Sequence, residues 1–116
     1  MTQMVYKIAR ASEWDEAEKT GLFTGSADDK RDGFIHLSAA AQVRATYDRY
    51  FSGEDNLMLV AVVEHRLGPQ LKWEPSRRGE AFPHLYAPLR LELVHSVTAI
   101  RRRNDSRPIF PPEIPE

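Results

Sequence analysis

The seven residues Asp32-Gly33-Phe34-Ile35-His36-Leu37-Ser38 set the frame for the whole chain. Side chains of a strand alternate between its two faces. If Phe34–Ser38 is extended, Ile35 and Leu37 point one way and Phe34, His36 and Ser38 the other. The apolar pair can then meet a helix-covered core. An imidazole and a hydroxyl are left together on the opposite face.

Beyond this strand, Ala39–Phe51 is predicted as a helix. Val43, Tyr47, Tyr50 and Phe51 fall at i, i+4, i+7 and i+8 and gather on one side. Leu57–Val63 is apolar on both alternating faces, so it is expected to be a central strand covered on both sides. Gly68-Pro69 marks a turn, and Leu71–Glu74 is expected to be a further strand. Pro75–Glu80 is a polar loop. Phe82–Pro88 carries two prolines and is expected to be an edge segment or an ordered loop. Leu89–Arg102 should hold one or two more strands. On the N-terminal side, Thr24–Gly33 is rich in Gly, Ser and Asp and reads as a loop. Val5–Ala9 is predicted as a first strand. Ser12-Glu13-Trp14-Asp15 has the form of a capping box, opening a helix that stops near Gly21. These elements predict a single α+β domain over residues 1–103, followed by an extended, partly mobile proline-rich tail over 104–116.

The chain has 116 residues and a formal net charge of −1. That size fits one domain with a modest core. A near-neutral chain is not built mainly to neutralise nucleic-acid phosphates, so no nucleic-acid partner is expected. With no cysteine, disulfides, thiolate metal sites and cysteine nucleophiles are excluded. The longest apolar run, Leu57–Val63, is too short to span a bilayer. No signal-peptide pattern opens the sequence. The expectation is a cytoplasmic protein with a small-molecule or nucleotide ligand and no membrane partner.

A second segment, Phe82-Pro83-His84-Leu85-Tyr86, repeats the order aromatic, one residue, His-Leu, hydroxyl. His36 and His84 are therefore the candidate acid and base groups, because imidazole donates and accepts protons near neutral pH. Glu74 can orient a histidine or move a proton itself. Ser38, Tyr86 and Trp73 are the candidate ligand contacts, the last two through their flat rings. Each also has a purely structural reading. Ser38 can cap the helix that starts at Ala39, His36 and His84 can bond nearby carbonyls, and Trp73 can belong to the core. Lys72, Arg77 and Arg78 flank the region as cations able to meet an anion. His36, His84 and Glu74 are the residue types of a two-His, one-carboxylate metal set. No local ligand spacing supports that set, and no metal ligand is assigned.

The strings Asp32–Ser38 and Phe82–Tyr86, with Lys72-Trp73-Glu74, resemble the signature segments of the family called domain of unknown function 952. The likeness extends over nearly the whole chain to about Arg102. That family is similar to a minimal ADP-ribosyltransferase fold, which implies a split β-sheet core with two helices around a nucleotide cleft. The order of elements is also similar to the RNA 2′-phosphotransferases of that superfamily. Tyr6-Lys7-Ile8-Ala9 stands where their Tyr-His-Gly-Thr strand would be, and Gly33–Ser38 where their His-Leu-Ser strand would be. Lys7 thus takes the position of a histidine that contacts NAD in many relatives, and the resemblance makes it a candidate ligand contact.

Three activities remain open on these residues. One is a transferase- or hydrolase-like enzyme acting on NAD, ADP-ribose or a related nucleotide. The second is a two-histidine phosphoesterase, in which one imidazole is base and the other acid. The third is a non-catalytic module whose histidines only donate hydrogen bonds.

Overall fold

Val5, Ala9, Val60 and Val62 are fully or almost fully buried, and so are Tyr6, Ile8, Leu57 and Leu59, which alternate with them. Two strands apolar on both faces need cover on both sides. In the computed structural model, which describes residues 2–76 and 79–116, β1 (Met4–Arg10) and Leu57–Val63 pair antiparallel along their whole length, with Met4 opposite Val63 and Arg10 opposite Leu57. One face of this pair packs on Trp14 and Ala17 of helix α1 (Ala11–Thr20) together with Ile35, Leu37 and Leu85. The other packs on Val43 and Tyr47 of a helix over Val43–Tyr50 and on Ile114.

Helix α1 ends at Gly21 as expected, with φ +82°, a left-handed conformation that glycine adopts without steric cost. Its start differs from expectation. Ser12 is not the cap. Arg10 is, and its backbone N–H donates to Glu13 Oε1 at 3.1 Å, while Ala11 N–H donates to the Asn56 carbonyl. The chain runs from β1 straight into the helix, and Glu13 supplies the acceptor that Asp15 was expected to supply. After β2 (Leu22–Phe23), the segment expected to be a loop contains helix α2 (Ala27–Asp32). Here Ser26 Oγ accepts from Asp29 N–H and the Asp29 carboxylate accepts from Ser26 N–H, a reciprocal cap. Among the described residues there are therefore three α-helices where two were expected.

Phe34–Ser38 is not one strand. It divides at Leu37 into β3 (Ile35–His36) and β4 (Ser38–Ala39), which belong to different sheets. The next helix opens with a 3-10 turn over Ala40–Gln42 and continues as α3 (Val43–Tyr50). Val43 and Tyr47 are buried on it, but Tyr50 is 51% exposed, unlike the inward face expected. Strand β5 (Leu57–Val63) takes the central place foreseen for it. Gly68-Pro69 breaks the chain where a turn was expected: Gly68 is non-helical, with φ +70°, and parts two short 3-10 pieces within Glu64–Gln70. Strands β6 (Leu71–Pro75), β7 (Ala81–Leu85), β8 (Leu89–Arg90), β9 (Val94–Arg102) and β10 (Pro108–Ile109) follow.

The strands form a five-stranded antiparallel sheet of order β10-β9-β5-β1-β4, a three-stranded antiparallel sheet β3-β7-β6 and the short pair β2-β8. The segment around Pro83, expected at an edge or in a loop, is thus the middle strand of the second sheet. Leu37 N–H donates to the Pro83 carbonyl at 3.0 Å. The proline nitrogen faces the same side and cannot return a bond, so the ladder stops there. Pro83 is tolerated because its neighbouring strand ends at that point. The segment after Arg103 is packed as well: β10 pairs with the end of β9, and Ile114 is 2% exposed. The architecture is a small α+β domain. Among the described residues, no helix is long and apolar enough to cross a membrane.

Candidate functional site

The register of the three-stranded sheet selects the side chains that meet. His36 lies opposite His84, and His84 opposite Lys72. Opposed residues share a face, so His36, His84 and Lys72 project together, joined by Phe34, Phe82, Tyr86 and Glu74 through alternation. Ile35, Leu85 and Pro83 turn the other way into the core. Phe34 stacks on His84 with ring centroids 4.1 Å apart, and the two imidazole centroids are 5.7 Å apart.

Each imidazole is held by a carboxylate. His84 Nδ1 lies 2.8 Å from Glu74 Oε1, which also accepts from the Tyr86 hydroxyl at 2.6 Å. A carboxylate only accepts, so Nδ1 carries the proton. Nε2 has no hydrogen-bond partner among the described residues. The hydrogen bonds from Tyr86 and then His84 hold the Glu74 carboxyl below its ordinary range, and the same contact with Glu74 raises the Tyr86 phenol. His36 Nδ1 lies 2.6 Å from Asp29 Oδ1, and its Nε2 lies 3.0 Å from Asp32 Oδ2. A neutral ring offers one N–H, so only the doubly protonated ring satisfies both carboxylates.

Asp29 is the anchor of this half. It is 2% exposed. Its oxygens receive the Lys7 ammonium at 2.8 and 3.1 Å, the His36 ring and backbone N–H, and the Ser26 N–H. Burial pushes its carboxyl upward. The His36 hydrogen bond and the Lys7 charge outweigh that and hold it far below the usual carboxylate range. Lys7 is itself buried and also donates to the His36 carbonyl at 3.1 Å.

These groups line a cavity of about 190 Å³ whose wall includes Lys7, Arg10, Arg31, His36, Ser38 and His84. Ser38 Oγ sits 2.9 Å from Thr46 Oγ1 on α3, which joins the first sheet to the helix at the cavity wall. Gln42 ties the same region to β7, with its amide donating to the Ala81 carbonyl and the Glu80 carboxylate. The lining also includes Tyr50 and Phe51, the latter with the Arg10 guanidinium 5.1 Å from its ring centroid.

Of the residues singled out from sequence, His36, His84, Ser38 and Lys7 meet at this cavity. Glu74 and Tyr86 stand behind His84 as its support rather than in the cavity wall. Trp73 lies elsewhere. It is opposite Pro83 in the strand register, so it projects from the other face, and its indole donates to Glu64 at 2.7 Å. Lys72 is 5.6 Å from the Tyr86 ring centroid. Arg77 and Arg78 lie outside the described residues. Among the described residues, no group of three or more His, Asp or Glu side chains is arranged to hold a metal ion. Asp29, Asp32, Arg31 and Thr46 were not foreseen. The signal for Asp29 was present in Ser26-x-x-Asp29 followed by Gly33, a capping box and a helix stop inside a stretch read as loop.

Residues 8–97 match the sequence model of a family described as "Protein of unknown function (DUF952)". No curated protein matches the chain. The crystal structure of protein CC0527 from Caulobacter crescentus is 46% identical, over 91% of this chain and 93% of that one, with a TM-score of 0.87. The solution structure of CC0527 is 47% identical over 89% of each chain, with a TM-score of 0.80. The matched span contains β1 from Ile8, all three helices and both imidazole strands, and on that ground the chain belongs to the DUF952 family.

Proposed function

We propose that the chain is a transferase- or hydrolase-like enzyme acting on NAD, ADP-ribose or a related nucleotide. The observation that carries this reading is the pair of imidazoles on directly opposed residues, each backed by its own carboxylate, at the wall of one polar cavity. Glu74 fixes the His84 tautomer so that Nε2 is a proton acceptor. His36, with carboxylates facing both nitrogens, is the hydrogen-bond donor beside it. Ser38 and Thr46 offer hydroxyls suited to a ribose. Phe51 and Tyr50 add aromatic rings to the cavity lining. The separation of the five-stranded from the three-stranded sheet, with a cavity where the chain crosses between them, supports the ADP-ribosyltransferase-like reading of the fold. A cavity of about 190 Å³ lies below the usual range for a whole drug-sized ligand. It takes one moiety of a dinucleotide, and the remainder extends across the mouth.

The test is a thermal-shift and calorimetry series with NAD, ADP-ribose and a 2′-phosphorylated nucleotide. A ligand at one hundred times its dissociation constant stabilises the folded state by about 2.7 kcal/mol. Binding that is lost in Ser38→Ala and Thr46→Val is the expected result. No shift with any of the three overturns the reading.

A two-histidine phosphoesterase is a second reading, favoured by the 5.7 Å spacing of the two rings. Turnover of a 2′,3′-cyclic nucleotide, abolished equally by His36→Ala and His84→Ala, supports it over the first. A parent protein that leaves such nucleotides intact removes it.

A further inference from the structure

Asp32 sits in an unusual place for an acid. It occupies the last turn of α2, where the helix dipole disfavours negative charge. What holds it is a set of donors. Arg31 Nε donates to Oδ1 at 2.9 Å and Arg31 Nη2 to Oδ2 at 3.3 Å, while His36 Nε2 lies 3.0 Å from Oδ2. A guanidinium fork and an imidazole N–H converging on two oxygens is the arrangement that recognises a phosphate or carboxylate group of a ligand. All three residues line the cavity. The inner carboxylate, Asp29, is locked by five donor contacts from Lys7, His36 and Ser26. Asp32 has only the outer ones, and its side chain is 32% exposed. One acid is a fixed part of the wall, and the other can leave without stranding a buried charge.

We propose that the Asp32 carboxylate occupies the seat of a ligand's anionic group, and that the cavity's ligand carries a phosphoryl group that displaces Asp32 and takes Arg31 and His36 as its donors. This inference rests on the reading of the cavity as a nucleotide site and narrows it to phosphorylated ligands engaged through their phosphate. Asp32 then acts as a specificity device. It repels weakly held anions and yields only to a ligand that brings further contacts from the rest of the cavity. When it yields, Arg31 keeps Asp28, to which Nη1 donates at 3.1 Å, so the guanidinium stays oriented.

The experiment is calorimetry of the parent, Asp32→Asn and Asp32→Ala with three probes: inorganic pyrophosphate, ADP-ribose and adenosine. Asp48→Asn, the same charge change at an exposed position of α3 outside the cavity, controls for the general field. Both Asp32 variants are expected to bind pyrophosphate and ADP-ribose about tenfold or more tightly than the parent. Asp48→Asn and the adenosine arm should show no such gain, and Arg31→Ala in the Asp32→Ala background should abolish it. The His36 Nε2 nitrogen resonance should move on titration. Equal or weaker pyrophosphate binding by the Asp32 variants, or a gain that survives Arg31→Ala, overturns the inference. The two readings separate cleanly. A pyrophosphate gain with no ADP-ribose or NAD binding keeps the anion seat and removes the nucleotide function. Nucleotide binding indifferent to Asp32 keeps the function and removes the seat. Failure of all probes with every variant overturns both.

Discussion

A lysine in the middle of β1, in line with Val5 and Ala9, would be expensive to bury alone. It is tolerated because Asp29 meets it at 2.8 Å and the His36 carbonyl accepts a further hydrogen bond. Removing one partner of such a pair leaves the other charge stranded, which costs about 3–5 kcal/mol. Asp29→Ala is therefore expected to lower stability by about that amount in urea denaturation. The pH dependence has a definite sign. The folded-state pKa of Asp29 is depressed, so in acid the unfolded chain binds the extra proton. The stabilisation is complete above the ordinary carboxylate range and is lost as pH falls. The parent should lose more stability between about pH 7 and about pH 3 than Asp29→Asn does; an equal loss would show that Asp29 contributes no such linkage. Lys7 was legible as a site residue because it replaces a histidine in a resemblance. Its partner was not, because an aspartate in a Gly-, Ser- and Asp-rich stretch is ordinarily solvated, and only tertiary burial makes it structural.

Helix α2 is short and polar, and its position depends on its ends. Gly33 ends it at φ +86°, and Gly25 before it has φ +106°. A Cβ on Gly25 would meet the Asp29 Cβ at 2.7 Å. Gly25→Ala therefore combines backbone strain with a clash against the anchoring carboxylate. It is expected to cost more than about 1 kcal/mol and to move the His36 ring resonances, while leaving those of His84 largely in place. Equal disturbance of both rings would show that the two imidazoles are not independently supported. The strand β5 was readable from a run of apolar residues, because burial on both faces leaves that mark in any sequence. The division of Phe34–Ser38 into two strands was not, because it arises from a missing N–H on Pro83, forty-six residues beyond Leu37. Local pattern gave the alternation that unites His36 with Ser38 on one side. It could not say that two sheets share them.

The segment after Arg103 closes one face of the larger sheet. Ile114 is packed with Tyr47, Val43 and Ile100, and Phe110 meets Tyr47 edge-on at 5.9 Å. Proline content alone suggested an extended tail, since the anchoring contacts come from two apolar residues among many polar ones. Ile114→Ala is expected to cost about 2–5 kcal/mol, and truncation after Arg103 should lower the denaturation midpoint further; a midpoint unchanged by either would mean the tail adds nothing to the core. The passage at Leu37 has its own consequence. His36 hangs from one ribbon of backbone and Ser38 from another, with a single residue as the bolt between them. Any sliding of one sheet over the other is therefore registered first as a change in the gap between an imidazole and a hydroxyl. A ligand that touches both is a clamp across the seam of the molecule, and it should slow amide exchange on both sides of that seam at once.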